Sequence, residues 1–154
     1  MATPLDGIDH RILDALTRDG RMSMRTLAES LHISRANAYA RVERLQTSGV
    51  IRGFSADVDP LLSGMGTSAY VTVNMHQPDW RHVRERLTQL QGIVHIALVG
   101  GEFDVILLVR ARDNADLRRL VLDEIQGTEG VVTTRTLLVF EEPEPARRGE
   151  HSRA

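Results

Sequence analysis

Three side chains that can bind nucleic acid, Asn37, Arg41 and Arg44, follow one another at spacings of four and three residues. Arginine forms paired hydrogen bonds with phosphate or with O6 and N7 of guanine, and asparagine does so with N6 and N7 of adenine. In a helix this spacing places all three on one face, although such residues are also common on ordinary exposed helices. We predict a DNA-contacting surface that consists of Arg25, Ser34, Arg35, Ala36, Asn37, Tyr39, Ala40, Arg41 and Arg44.

The charge distribution along the chain is uneven. The 154 residues carry a formal net charge of -2, yet residues 21–53 contain six arginines against two glutamates. Residues 1–20 contain two arginines against four aspartates. A local basic patch on an acidic protein is typical of a surface that binds phosphate groups, but charge alone also fits a solvated helical surface. The secondary structure that carries these residues is therefore needed to choose between a phosphate-binding surface and a solvated helix.

Apolar residues before position 50 follow helical spacing and predict three short helices. Ser23 can cap the second helix and Ser34 the third, and an extended segment is predicted from Val50 to Val58. The apolar stripes are formed by Leu5, Ile8, Ile12 and Leu16, by Leu27, Ala28 and Leu31, and by Ala38, Val42 and Leu45. Three helices with a tight turn between the last two, followed by a strand, predict a winged helix-turn-helix.

Beyond residue 66 the pattern changes to strand-like alternation. A first strand is followed by a helix, two strands, a second helix and a last strand, and the order βαββαβ is the ferredoxin-like arrangement. Gly92 and Gly130, 38 residues apart, each end a helix and begin a strand. The apolar residues are Ala69, Val71, Val73 and Met75 in the first strand, Trp80, Val83, Leu87 and Leu90 in the next helix, and Leu117, Leu120, Val121 and Ile125 in the second helix. The remaining strands are predicted at 93–99, 105–110 and 131 to 140.

These patterns predict an α+β chain of two domains. The winged helix-turn-helix DNA-binding domain spans residues 1–57, a linker spans 58–66, and the ferredoxin-like βαββαβ domain spans 67–142. Residues 143–154 are polar and lack any apolar period, which predicts a disordered tail.

A series of short motifs occurs in order across residues 5 to 142. They are Leu5-Asp6-Gly7-Ile8-Asp9, Asp19-Gly20-Arg21, Leu27-Ala28, Ile33-Ser34, Arg41-Val42-Glu43-Arg44-Leu45, Gly49-Val50-Ile51-Arg52-Gly53-Phe54, Asp59-Pro60, Gly101-Glu102-Phe103-Asp104 and Thr134-Arg135-Thr136. On these motifs the sequence resembles the Lrp/AsnC (feast/famine) family of transcriptional regulators. The resemblance implies a DNA-binding domain joined to a ligand-sensing βαββαβ domain that binds an effector and oligomerises.

The resemblance also implies an effector, a free amino acid bound between dimers around one turn. That site consists of Gly100, Gly101, Glu102, Phe103 and Asp104, with Thr134 and Thr136 from the last strand. Glycine lets backbone N–H groups approach a carboxylate, and a carboxylate such as that of Asp104 can accept an ammonium group. The same residues also suit an ordinary hairpin turn. The charge of Glu102 predicts a bias against acidic effectors.

As a function, the resemblance implies an effector-responsive regulator of amino-acid metabolism or transport, acting in the cytoplasm at the nucleoid. Homodimers that assemble into tetramers or octamers would bind double-stranded DNA at a pseudo-palindromic operator. One alternative is an enzyme similar to siroheme decarboxylases, in which Arg81, His82, Arg84, Arg86 and His95 would hold the porphyrin carboxylates. Another is an effector-independent architectural DNA-binding protein.

Several function classes are disfavoured by the residues themselves. The chain has no cysteine, and its six histidines lack metal-ligand spacing, so we predict no metal, no cofactor and no catalytic residue. Gly100-Gly101-Glu102-Phe103 also looks like the signature turn of diguanylate cyclases, but the first strand ends without the metal-binding aspartate such an enzyme requires. The longest apolar runs are far too short to cross a membrane, and the acidic start argues against a secretory signal.

Overall fold

A computed structural model describes residues 4–76 and 79–142 of the chain. The chain divides into two compact units, with the boundary between Asp57 and Val58, so residues 58–66 belong to the second unit. The predicted tail, 143–154, lies outside the described residues. Among the helices that are described, none has both the length and the apolar composition needed to cross a bilayer.

The first unit contains three helices, α1 (Gly7–Arg18), α2 (Met24–Leu31) and α3 (Arg35–Thr47). The predicted caps are confirmed, because the Ser23 hydroxyl accepts a hydrogen bond from the Thr26 N–H and the Ser34 hydroxyl accepts one from the Asn37 N–H. The predicted stripes form the core, in which Ile12 and Leu45 are fully buried. The α2–α3 turn passes through His32 in the left-handed region, with φ of 56°.

The segment after α3 differs from the prediction. Residues 50–58 were predicted to be an extended strand, but no strand forms between α3 and residue 67. A strand requires a second strand to pair with its backbone groups. In the first unit, which is otherwise helical, that partner is missing from the described residues.

The second unit is a four-stranded antiparallel sheet with helices on one face, and the predicted ferredoxin-like order is confirmed. Its elements are β1 (Thr67–Met75), α4 (Trp80–Gln89), β2 (Ile93–Leu98), β3 (Val105–Ala111), α5 (Asn114–Arg119) and β4 (Val131–Val139). The strand order is β2-β3-β1-β4. Val71, Val73 and Leu107 of the sheet pack with Val83 and Leu87 of α4, and all five are fully buried.

The second helix of this unit is less regular than its sequence pattern predicts. After α5 the chain continues as a π-helical turn, Leu120–Ile125, and both segments contribute buried residues to the sheet. The two glycines that begin β2 and β4 have the left-handed backbone required there, with φ of 93° at Gly92 and 92° at Gly130. A Cβ at Gly92 would lie 2.7 Å from the Arg110 carbonyl oxygen, so only glycine allows this approach.

Candidate nucleic-acid interface and effector site

The N-terminal half of α3 presents a compact exposed surface. Ser34 fixes the first turn, and from there Arg35, Ala36, Asn37, Tyr39 and Ala40 are all exposed. The Arg35 guanidinium lies 5.6 Å from the centre of the Tyr39 ring, in cation–π geometry. The two alanines leave the helix backbone accessible between the longer side chains. Small side chains next to exposed polar ones are what a helix needs to enter the major groove and contact bases.

Arg25 lies on α2 and not on this helix. Its Nε donates a hydrogen bond of 2.9 Å to Glu29 one turn along, and both side chains are largely exposed, at 79% and 64%. An exposed pair of this kind contributes little to stability and separates readily. Arg25 can therefore turn to a phosphate at small cost.

The spacing predicted that Arg41 and Arg44 point outward from α3, but in the structure they do not. Arg41 Nη1 lies 2.7 Å from Asp9 Oδ1 and 2.7 Å from Asp6 Oδ2, and Arg44 Nη2 lies 2.6 Å from Asp9 Oδ1. The Arg41 side chain is only 20% exposed and that of Arg44 only 35%. These two arginines connect α3 to the start of α1 instead of forming an outward row with Asn37.

Asp9 is the centre of this network and is fully buried. Burial acts to raise the pKa of Asp9, but hydrogen bonds from the Arg44 side chain, the Asp6 N–H and the Arg41 side chain outweigh it and hold the pKa well below its ordinary value. Asp6 caps α1, and its pKa is lowered by the Asp9 backbone N–H and by Arg41. These acids are not among the residues predicted from the sequence, although four aspartates ahead of a basic segment were a signal for such pairing.

The turn between β2 and β3 carries five of the seven predicted effector residues, from Gly100 to Asp104. The Asp104 N–H donates to the Val73 carbonyl oxygen at 3.1 Å, and the Met75 N–H donates to Asp104 Oδ2 at 2.9 Å. Asp104 therefore anchors the turn to the end of β1. Gly100 and Gly101 are exposed, and a Cβ on either would meet nothing within 4 Å, so their backbone is accessible to a ligand.

The predicted effector residues fall into two groups. Glu102 and Phe103 lie near Arg135 of β4, with 3.4 Å from Arg135 Nη1 to Glu102 Oε1 and 5.9 Å from the guanidinium to the Phe103 ring centre. Thr134 and Thr136 flank Arg135 in the strand, so they point to the opposite face of the sheet. Within one chain the turn therefore approaches Arg135 and not the two threonines. Arg135 was not among the predicted effector residues.

The basic groups considered for a porphyrin are not collected in one site. Arg81 and Arg84 pack against the Trp80 ring, at 5.5 and 5.1 Å. His82 and Arg86 line a cleft together with Asp123, Glu124 and Glu129. Three carboxylates beside the cleft would repel the carboxylates of a tetrapyrrole.

Comparisons with known proteins agree with this division into two units. A winged helix-turn-helix DNA-binding model matches residues 5–52, and the Lrp/AsnC ligand binding domain matches residues 68–148. The HTH-type transcriptional regulator AldR of Mycolicibacterium smegmatis is 37% identical over 143 residues, covering 91% of this chain and 84% of that protein.

Solved structures show the same architecture. The leucine response regulatory protein LrpA of Mycobacterium tuberculosis superposes with a TM-score of 0.81 at 29% identity, covering 92% of this chain and 96% of that one. A transcriptional regulator of Neisseria meningitidis in complex with L-methionine has a TM-score of 0.80 at 23% identity, covering 92% and 94%, and shares the fold.

A helix-turn-helix unit joined to a ligand-binding βαββαβ unit defines a DNA-binding transcriptional regulator, not an enzyme. The chain belongs to the Lrp/AsnC family.

Proposed function

We propose that this regulator recognises specific DNA sequences through α3, controls genes of amino-acid metabolism or transport, and responds to an amino acid. The observation that carries the DNA-binding part is the exposed surface of Arg35, Ala36, Asn37, Tyr39 and Ala40. The neighbouring Arg41 and Arg44 fix α3 against α1. A recognition helix must be held rigidly, because base contacts depend on its register in the groove.

The effector site is assigned to the turn at Gly100, Gly101 and Asp104. Its exposed glycines offer backbone N–H groups for a carboxylate, and Asp104, at the end of the same turn, supplies a negative charge that suits an ammonium group. The names of two similar proteins, a leucine response regulator and a regulator crystallised with L-methionine, support an amino acid as the class of effector.

The sheet face opposite the helices supports a dimer. Tyr70 and Leu137 pair across β1 and β4 on this face and are 40% and 58% exposed. Beside them the Thr72 hydroxyl is buried and has no hydrogen-bond partner among residues 4–76 and 79–142. A sheet face with exposed large apolar side chains is typical of an interface, and a second copy supplies a matching face.

Dimers of this kind assemble further into tetramers or octamers, with the amino acid bound between them. Their two-fold symmetry calls for a pseudo-palindromic operator whose half-sites lie about one helical turn, or a multiple of it, apart. The protein accordingly acts in the cytoplasm, on nucleoid DNA.

Two assays test the DNA and effector parts separately. Selection from a pool of randomised DNA duplexes should enrich a palindromic motif, and a thermal-shift screen of the standard amino acids should identify one that raises the melting temperature. An enriched motif with no amino-acid response would favour an architectural regulator. Failure to enrich any motif would contradict sequence-specific binding.

The Asp104 assignment is tested by Asp104→Asn, which retains an oxygen for the Met75 N–H but removes the charge. We expect effector-free DNA binding close to that of the wild type and loss of the thermal shift. Unchanged effector affinity would remove Asp104 from the site.

The dimer is tested by Leu137→Asp, which places a charge on the exposed sheet face. We expect a monomer by light scattering. The matched control is Leu122→Asp, at a side chain 45% exposed in the π-helical turn, which should leave the mass unchanged. Equal masses for both variants would argue against this interface.

A further inference from the structure

The side-chain amide of Asn37 has a fixed orientation on the exposed surface of α3. Its Oδ1 accepts a hydrogen bond of 2.9 Å from Arg41 Nε, one turn along the helix. Arginine has only donors, so the atom that faces Arg41 must be the oxygen of the amide. The amide nitrogen, Nδ2, is consequently the end of the group that is turned away from Arg41.

Arg41 cannot easily release this bond, because Nη1 of its guanidinium is bound to residues at the start of α1. Arg41 Nη1 donates to Asp6 Oδ1 and Oδ2, at 2.9 and 2.7 Å, and to Asp9 Oδ1 at 2.7 Å. Asp9 is fully buried and also binds Arg44. Charge-assisted hydrogen bonds in a buried position are stronger and better defined than exposed ones. The orientation of the exposed Asn37 amide therefore depends on the buried carboxylate of Asp9.

We propose that Asn37 determines specificity as a hydrogen-bond donor, and that Asp9 and Arg41 are the positioning residues that impose this polarity. The inference rests on the proposed function, DNA recognition by α3. It differs from the usual pairing of asparagine with adenine, in which Oδ1 accepts from N6 while Nδ2 donates to N7. With Oδ1 directed to Arg41, Nδ2 meets the two neighbouring acceptors of guanine, O6 and N7, better than the N6 donor of adenine. At the purine that it contacts, the protein selects guanine over adenine.

The test is selection from randomised duplexes with the full chain, followed by measurement of affinity for matched duplexes with guanine or adenine at each purine of the motif. Asn37→Ala identifies the position that Asn37 reads, because discrimination there should disappear. Arg41→Lys retains a cation for Asp6 and Asp9 but lacks the Nε–H, so the Asn37 amide can rotate. At the same position, guanine-over-adenine discrimination should fall about tenfold, in addition to any change in affinity for random duplexes.

Two further variants keep the outcome clear. Asn37→Asp is a change on an exposed residue, so it leaves folding intact, and it replaces the outward donor by an acceptor. Its preference should move to a base that presents an amine, adenine or cytosine. Arg18→Lys is the control, since Arg18 Nε donates to the Asp14 carbonyl oxygen within α1, and it should leave the motif unchanged.

The results separate the inference from the function on which it rests. No enriched motif with the wild-type protein would overturn the proposed function. An enriched motif in which Asn37 reads adenine, or in which Arg41→Lys leaves discrimination at the Asn37 position unchanged, would overturn the inference alone. Hydrogen exchange of α1 and α3 in Arg41→Lys, expected to match the wild type, distinguishes altered recognition from unfolding.

Discussion

The two candidate sites are held in place by different kinds of interaction. In the first unit, α3, the proposed recognition helix, is fixed by side-chain charges, with buried Asp9 binding both Arg41 and Arg44. In the second unit, the proposed effector turn is fixed by hydrogen bonds from backbone N–H groups: the Asp104 N–H donates to the Val73 carbonyl oxygen, and the Met75 N–H donates to the Asp104 carboxylate. We therefore expect the strongest single substitution in the DNA-binding unit to be the loss of a buried charge, and in the ligand-binding unit a clash with the backbone.

The largest effect is expected from Asp9→Ala, which leaves two guanidinium groups without their shared carboxylate. Breaking a buried ion pair from one side destabilises by about 3 kcal/mol, and the loss should appear as faster hydrogen exchange in α1 and α3. The control is Glu29→Ala, which removes the exposed partner of Arg25 and should change stability by less than about 0.5 kcal/mol. Similar effects of the two substitutions would mean that the Asp9 network is no stronger than a surface pair.

In the second unit the strongest test is Gly92→Ala. The added Cβ would meet the Arg110 carbonyl oxygen at 2.7 Å, at a backbone φ of 93°. We expect a loss of about 2 kcal/mol in urea unfolding, from the left-handed backbone and the clash together. Gly64→Ala has a similar φ of 87° but no atom within 4 Å, so it should lose only about 1 kcal/mol. Equal losses would mean that close packing at β2 contributes nothing.

Acid should destabilise the first unit through Asp9. In the folded state the pKa of Asp9 lies below its ordinary value of 3.8. The Asp9 charge therefore stabilises the first unit when the pH is above 3.8, and this stabilisation is lost as the pH falls below 3.8 and Asp9 becomes protonated. The stability difference between the wild type and Asp9→Asn should be constant near neutral pH and should narrow below about pH 4. Hydrogen exchange of α1 and α3, recorded for both proteins from neutral pH to below about pH 4, measures this stability difference. A difference that widened in acid would have the wrong sign for this network.

The smallest effect is expected at the α2–α3 turn. His32 is an exposed residue other than glycine in the left-handed region, with φ of 56°. His32→Gly should raise thermal stability by about 0.5 kcal/mol, because relief of the backbone strain slightly exceeds the added chain entropy. A loss of stability would show that the imidazole makes a contact that outweighs the strain.

Local patterns predicted most of the fold. Caps at Ser23 and Ser34, the stripe of Ala38, Val42 and Leu45, and the alternation along β1 all follow from residues close in sequence. The strand predicted at 50–58 failed because pairing depends on a partner that local sequence does not specify.

The candidate sites were harder to predict than the elements that carry them. Helical spacing correctly placed Asn37 and Arg41 next to each other, but it did not show that Asp9, 32 residues earlier in the chain, turns Arg41 inward. Arg135 was missed for a similar reason, since its proximity to Phe103 depends on the position of β4 in the sheet. Contacts between distant segments decide which exposed side chains are available to a ligand.

Coupling between effector and DNA binding is measured by the affinity for a selected operator duplex, from fluorescence anisotropy with and without each standard amino acid. We expect one amino acid to change the Kd by at least about fivefold, and we expect Asp104→Asn to retain the effector-free Kd but to lose that change. A Kd that stays the same with every amino acid would contradict the link between the two units.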